Sequence, residues 1–106
     1  MALNLNLLRA KREEILKLAA QNGAYNVRIY GPVARGEVPP NGDVDFLVEL
    51  EPDRNLLDLG GFLMDLQELL GSEVHVTEEE GLRQSIRYGK EQGERINRVL
   101  KEAVVV

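Results

Sequence analysis

Two aspartates separated by one residue are the part of the sequence with the clearest chemical potential. Asp43 and Asp45 are followed by an apolar run. Because side chains alternate between the two faces of a strand, both carboxylates lie on one face while Val44, Phe46 and Val48 point into the core. Two like charges at one spot are unfavourable unless a cation lies between them, and hard oxygen ligands suit a divalent cation. The spacing therefore predicts a divalent metal site, and Mg²⁺ holding a nucleoside triphosphate is the natural candidate.

A glycine-flanked turn precedes the aspartates and reads Gly31-Pro32-Val33-Ala34-Arg35-Gly36-Glu37. Glycine suits a position where the backbone approaches a phosphate, and it equally suits an ordinary turn. An arginine here either binds phosphate, forms a scaffold ion pair or lies on a solvated helix face. The alternative for the aspartates is a solvated strand start after a loop rich in proline and glycine.

These motifs together resemble the minimal nucleotidyltransferases of the DNA-polymerase-beta superfamily. The segments Ala34-Arg35-Gly36 and Asp43-x-Asp45-x-Leu47-Val48 match the family's signature. The length and the order of elements are similar to those of small members that act as antitoxins beside a HEPN-domain toxin, so the likeness covers nearly the whole chain. The resemblance implies a polymerase-beta-like fold, Mg²⁺ or Mn²⁺ as cofactor, and transfer of AMP from ATP to a tyrosine hydroxyl of a HEPN toxin partner.

The same resemblance assigns roles to particular residues. Asp43 and Asp45 are expected to be catalytic and to hold the metal, with His75 as a third catalytic residue. The nucleotide is expected to contact Gly31, Pro32, Arg35 and Gly36.

At three positions the chain differs from the family's pattern. Pro32 replaces a serine, which removes a hydroxyl and a backbone N–H, although proline suits the first turn of a helix. Gly42 replaces a serine or threonine. His75, within Val74-His75-Val76, stands where the family has its third carboxylate.

His75 allows two interpretations. Strand alternation places it on the face with Glu73 and Thr77, as the third acid would be. In the first interpretation it is functional, as a neutral metal ligand or as a base for the acceptor hydroxyl. In the second it is a partly buried polar side chain in a degenerate site. Glu73 and Glu37 are the candidates for a replacement carboxylate.

Three functions remain open at the level of sequence. The first is the AMP-transferring antitoxin. The second is the same fold with lost chemistry, which neutralises its partner by binding alone. The third is a nucleotidyltransferase for a small molecule, but the larger enzymes of that kind have an extra helical domain for which this chain has no room.

Composition limits the other possibilities. The chain has 106 residues, which predicts one domain over residues 1–106, and it has no cysteine, which fits a reducing cytoplasm. A net charge of −5 argues against an extended nucleic-acid surface. No apolar run approaches the roughly 20 residues that span a bilayer, and no signal-peptide pattern is present. We therefore expect a soluble cytoplasmic protein, and a homo- or hetero-oligomer is possible.

The periodicities predict an α/β fold, a sandwich with a small, mixed sheet flanked by helices. The predicted elements, in order, are a helix from about Leu5 to Asn22, a strand over Val27–Tyr30, a loop at Pro39–Gly42, a strand over Asp43–Leu50, a helix over Leu56–Leu70, a strand over Glu73–Thr77 and a helix ending near Ala103. Asp53 or Asn55 is expected to cap the middle helix, and Gly71 to end it. Thr77 and Glu80 have the spacing of a capping box for the last helix.

Two apolar groups complete the sequence-based expectations. Phe62, Met64, Leu66 and Leu69 on the middle helix are expected in the core. The C-terminal Val104-Val105-Val106 either folds back on the sheet or docks on another chain.

Overall fold

The structure, a computed structural model that describes residues 3–37, 43–84 and 90–106, contains a four-stranded mixed sheet and five helices. Side chains of the last range are described from residue 93 onward. The elements in chain order are α1 (Leu5–Ala10), α2 (Arg12–Gln21), β1 (Ala24–Tyr30), β2 (Val44–Leu50), α3 (Leu56–Leu70), β3 (Val74–Glu78), α4 (Glu79–Gln84), α5 (Lys90–Glu102) and β4 (Val104–Val105). The predicted mixed α/β architecture is confirmed. The predicted loop at Pro39–Gly42 lies outside the described residues.

The strands lie in the order β3-β2-β1-β4. The central strands β1 and β2 are antiparallel, β3 runs parallel to β2, and β4 is antiparallel to β1. Asp45 pairs with Tyr30 on one side and with His75 on the other. The register therefore places these three residues in one row across the sheet.

One face of β2 is largely buried and the other is buried in part. Val44, Phe46 and Val48 are fully buried in the main core, as strand alternation predicts. Leu47 is also fully buried, although it shares the opposite face with Asp45. The face that carries the carboxylates is thus partly closed over by other parts of the chain.

The first helix of the prediction is two helices. The helix from Leu5 breaks at Lys11, whose N–H donates to the Leu8 carbonyl oxygen at 3.0 Å, and α2 starts at Arg12. The side chains on either side of the break both reach the C-terminus: Arg9 donates to the Val105 carbonyl and Arg12 to the Val106 carbonyl, each at 3.0 Å. A local apolar period cannot predict a contact between residues that are 94 positions apart, so the break at Lys11 was not predicted.

The middle helix α3 has the predicted bounds, and Asn55 rather than Asp53 is its cap. The Asn55 side chain accepts from the Leu57 N–H, and Asp58 accepts from the Asn55 N–H at 3.0 Å, which forms a capping box. Phe62 and Leu66 are fully buried as expected. The prediction for Met64 is wrong: its residue is 70% exposed, because it faces outward on the same helix.

The prediction for the final helical region is also wrong at its start. Thr77 does not cap a helix, because β3 continues through Glu78 and the Thr77 hydroxyl lies 3.0 Å from the Tyr30 hydroxyl. The Glu78 carboxylate instead accepts from the N–H groups of Glu80 and Gly81. Two helices, α4 and α5, occupy the described residues of this region, and residues 85–89 lie outside them.

The C-terminal valines fold back on the sheet, which was one of the two expectations. Val104 and Val105 form β4 beside Ile29 and Arg28 of β1, and Val106 is buried in the core. Among the described residues no helix combines the length and the apolar character that crossing a membrane requires.

Candidate active site

Asp43, Asp45 and His75 lie together at one end of the parallel pair of strands, β2 and β3. Asp45 is the second residue of β2 and Asp43 precedes that strand directly. His75 pairs with Asp45 in the register of β2 and β3, and its Nε2 lies 3.0 Å from Oδ2 of Asp43. The structure thus brings together the three residues that were predicted to be catalytic.

The surroundings of Asp45 disfavour an isolated negative charge. Its carboxylate is half-buried and has no hydrogen-bond partner among the described residues. Burial raises the pKa of Asp45, the charges of Asp43 and Glu102 raise it further, and His75 opposes the rise. A positive charge placed here would stabilise the ionised form.

The surroundings of His75 favour its charged form, whereas those of Asp45 disfavour its charged form. The hydrogen bond to Asp43 raises the pKa of His75, with further contributions from the charges of Asp45 and Glu73. Its side chain is 56% exposed, so solvent screens these interactions. The imidazole therefore faces the carboxylates and solvent at once, on the face that strand alternation predicts.

Gly31 is where the glycine turn meets the carboxylates. Its φ is +76°, and a Cβ atom at this position would lie only 2.6 Å from Oδ2 of Asp45. Both the backbone conformation and the space therefore require glycine here. The close approach places the first peptide of the turn directly against the half-buried carboxylate.

The rest of the turn is held by consecutive backbone hydrogen bonds. The Arg35 N–H donates to the Gly31 carbonyl, and the Glu37 N–H donates to the Pro32 carbonyl at 2.9 Å. Pro32 begins this part of the turn and has no N–H to offer a phosphate. Gly36 has a φ of +79° with open space around it, so the demand there is for backbone conformation alone.

Arg35 bridges two carboxylates. Its Nε donates to Glu37 at 2.9 Å and its Nη1 donates to Glu102 at 2.8 Å. These hydrogen bonds raise the pKa of Arg35, so the guanidinium remains charged. A guanidinium has five N–H donors, and among the described residues no partner engages the Nη2 donors of Arg35, which can therefore bind a further anion.

Three site residues were missed by the sequence analysis. Glu102, the last residue of α5, accepts from the Gly31 N–H at 2.9 Å. Tyr30 lies beside Asp45 in the register, and burial is the main reason that its pKa is raised. Thr77 shares a hydrogen bond with Tyr30. Tyr30 and Thr77 follow from strand alternation once the strand order is known, whereas nothing in its sequence context distinguishes Glu102 from the other acids of α5.

A cavity of about 240 Å³ adjoins this row of residues. It is lined by Tyr30, Thr77, Leu82, Arg95, Ile96 and Val99. Its walls come from the sheet and the two C-terminal helices, so the site has a concave flank next to the carboxylates.

The carboxylates of Asp43 and Asp45 fit a hard divalent cation that takes its remaining ligands from the substrate and from water. Within the described ranges, no three His, Cys, Asp or Glu side chains are grouped closely enough to hold a metal ion by themselves. Neither Glu37 nor Glu73 therefore completes a three-ligand cluster among these residues. Two carboxylates with one unsatisfied member would hold Mg²⁺ or Mn²⁺ together with triphosphate oxygens and water.

Comparison with known proteins identifies the family. The family model of the nucleotidyltransferase domain matches residues 10–106. A Methanocaldococcus jannaschii protein described as a "Putative protein adenylyltransferase" is 35% identical over 74 residues, which are 70% of this chain and 76% of that protein. A solved structure described as "Structure of putative minimal nucleotidyltransferase" has a TM-score of 0.77 and 39% identity, and the match covers 98% of this chain and 97% of that one. The chain therefore belongs to the nucleotidyltransferase domain family, as a minimal nucleotidyltransferase of the DNA-polymerase-beta superfamily.

Proposed function

We propose that this nucleotidyltransferase transfers AMP from ATP to a tyrosine hydroxyl of a HEPN-domain toxin and so acts as its antitoxin. The observation that carries the proposal is the meeting of Asp43, Asp45 and His75 beside the backbone of Gly31. The description of the Methanocaldococcus jannaschii relative supports a protein acceptor. The resemblance set out in the sequence analysis supports the HEPN partner.

In the proposed reaction the acceptor hydroxyl oxygen attacks the α-phosphorus of ATP. A bond forms between that oxygen and phosphorus, the bond from the α-phosphorus to the bridging oxygen breaks, and pyrophosphate leaves. Asp43 and Asp45 would hold Mg²⁺ or Mn²⁺, which when bound neutralises the charge on the triphosphate. No other part of the proposal depends on the identity of the metal.

The chain's own residues would position the reactants. Arg35 presents its remaining Nη2 donors to a phosphate oxygen, and Gly31 lets the backbone lie close to Asp45 without a side chain in between. The neutral imidazole of His75 would take the proton from the acceptor hydroxyl. This role requires Nε2 to leave Asp43, because that nitrogen is engaged by the carboxylate in the present arrangement.

Two features favour a second candidate function, which is neutralisation of the partner by binding alone. Pro32 offers no N–H to a phosphate, and His75 occupies the position of the third carboxylate while it engages Asp43. The same fold with weakened chemistry would still present its surface to a partner protein.

The decisive experiment measures Mg²⁺-ATP affinity by titration calorimetry and transfer of labelled AMP to a co-purified partner. Asp43→Asn and Asp45→Asn should each abolish nucleotide-dependent metal binding and transfer. Glu49→Gln is the matched control, because Glu49 lies on the same strand and face as Asp45 and bonds only to Asn26 among the described residues. Equal affinities in all four proteins would overturn the proposed site.

His75→Asp separates the two candidate functions. If the wild type transfers AMP, the enzyme proposal holds. If only His75→Asp transfers AMP while the wild type still neutralises the toxin, the natural protein acts by binding. If neither the wild type nor His75→Asp transfers AMP and both still neutralise the toxin, the protein also acts by binding alone.

A further inference from the structure

Glu102 joins the end of α5 to the glycine turn. One oxygen of its carboxylate accepts from the Gly31 N–H at 2.9 Å, and the other accepts from Nη1 of Arg35 at 2.8 Å. The side chain is only 19% exposed. A single carboxylate therefore spans two donors that lie four residues apart and belong to the predicted nucleotide-binding turn.

The contact restrains both donors at once. The hydrogen bond to Gly31 fixes the plane of the peptide that packs against Asp45, where only 2.6 Å would separate a Cβ atom from Oδ2. The bond to Arg35 holds the guanidinium from one side while Glu37 holds it from the other. A guanidinium held by two carboxylates loses less entropy when it binds a third anion.

Glu102 is also placed to be held itself. It ends α5, and only Ala103 separates it from β4, whose residues pair with β1, the strand that leads into Gly31. The glycine turn follows β1 and the Glu102 carboxylate precedes β4, and these two strands are neighbours in the sheet.

We propose that Glu102 is a positioning residue for nucleotide binding: it holds the Gly31 peptide and the Arg35 guanidinium in the arrangement that receives the triphosphate. This inference rests on the proposed nucleotide site and extends it to the C-terminal helix. Glu102 does not touch the reacting atoms, and it acts through Gly31 and Arg35.

If Glu102 instead competes with the nucleotide, its removal should have the opposite effect on nucleotide binding. The Glu102 carboxylate is an anion that occupies the Gly31 N–H, so it could compete with a phosphate for that donor. If it competes, its removal should strengthen nucleotide binding. If it positions the donors, its removal should weaken nucleotide binding.

The test is titration calorimetry of Mg²⁺-ATP with the wild type, Glu102→Gln and Glu94→Gln. Glu94 is a matched control because it is an exposed glutamate of the same helix, with no described hydrogen bond or ion pair. We expect Glu102→Gln to weaken Mg²⁺-ATP binding by about tenfold, the loss that corresponds to one hydrogen bond to a charged group. Glu94→Gln should bind like the wild type.

Two further measurements distinguish positioning from a general loss of structure. Glu102→Gln should weaken binding much less when Arg35 is already Gln, because the two residues act through one contact. Without nucleotide, hydrogen exchange at the Gly31 amide should be faster in Glu102→Gln than in Glu94→Gln. Urea unfolding midpoints provide the check that each variant is folded.

The outcomes separate the inference from the proposed function. Tighter or unchanged Mg²⁺-ATP binding by a folded Glu102→Gln overturns the inference and leaves the proposed site intact. A wild type that binds no Mg²⁺-ATP overturns both. If Glu102→Gln does not fold, Glu102→Asp replaces it, and it should bind more weakly than wild type because the shorter side chain cannot span both donors.

Discussion

At the scale of single residues, the contact between Gly31 and Asp45 sets the geometry of the site. The turn approaches the carboxylate so closely that no side chain fits between them. Asp45 is half-buried, and burial is the main reason that its pKa is raised. One glycine thus lets the backbone lie directly against a carboxylate whose burial favours a bound cation.

Gly31→Ala tests this close approach. The change imposes left-handed strain of about 1 to 2 kcal/mol and also forces the Asp45 carboxylate away from its position. We expect lower stability in urea unfolding and weaker Mg²⁺-ATP binding in calorimetry.

Gly36→Ala is the control, because Gly36 has a similar φ of +79° with no atom within 4 Å of an added Cβ. It should show the strain and leave the affinity for Mg²⁺-ATP close to that of wild type. A Gly31→Ala variant that binds as well as Gly36→Ala would show that the close approach has no role in binding.

At the scale of elements, α3 illustrates how a local signal defines a helix. Its N-terminus has reciprocal hydrogen bonds between Asn55 and Asp58, and the backbone hydrogen bond from Asn55 lowers the pKa of Asp58. Its C-terminus is Gly71 in the left-handed conformation. These caps lie within the helix's own sequence, so its bounds do not depend on the rest of the fold.

The cap can be tested by comparing two neighbouring substitutions. Asn55→Ala removes the acceptor for the Leu57 N–H and should destabilise the protein by about 1 kcal/mol in urea unfolding. Asp53→Ala changes an exposed residue with no described partner and should have little effect. Equal losses from the two variants would contradict the assignment of Asn55 as the cap.

At the scale of the whole molecule, an ion pair fastens α4 to the sheet. Nη1 of Arg28 on β1 donates to Oε1 of Glu79 at 2.6 Å, and the two side chains are mostly buried. The hydrogen bond to Arg28 is the main reason that the pKa of Glu79 is lowered. Nη2 of Arg28 is buried without a described partner, so Glu79 is the principal anion available to this guanidinium.

This pair predicts how stability depends on pH. Because the pKa of Glu79 is lower in the folded state than its ordinary value of 4.5, its contribution is present above that value and is lost as the pH falls through the folded pKa. Glu79→Gln should lower the free energy of unfolding by about 1 to 3 kcal/mol near neutral pH. The difference from wild type should shrink in acid.

The measurement is urea unfolding of both proteins from about pH 7 down to about pH 3. Glu80→Gln removes the same charge from an exposed neighbour on α4 and should follow the wild-type profile. If the difference between Glu79→Gln and wild type stays constant over the whole range, the ionised pair is not the source of the stability.

The sequence alone determined features that depend on neighbouring residues. The bounds of α3, the buried positions Val44, Phe46 and Val48, and the face that His75 occupies all follow from strand alternation or local caps. The Asp-x-Asp pair and the glycine turn likewise indicated where the candidate site lies. Each of these signals spans only a few residues, so no knowledge of the fold was required.

Only the tertiary structure decided the features that join distant parts of the chain. Glu102 meets Gly31 across 71 residues, and Arg12 meets Val106 across 94. The division of the first helix at Lys11, the exposure of Met64 and the folding of the last valines onto β1 were open or wrongly predicted from sequence. The physical reason is that an apolar period shows which side of an element is buried, whereas packing of the sheet determines which distant side chain meets it.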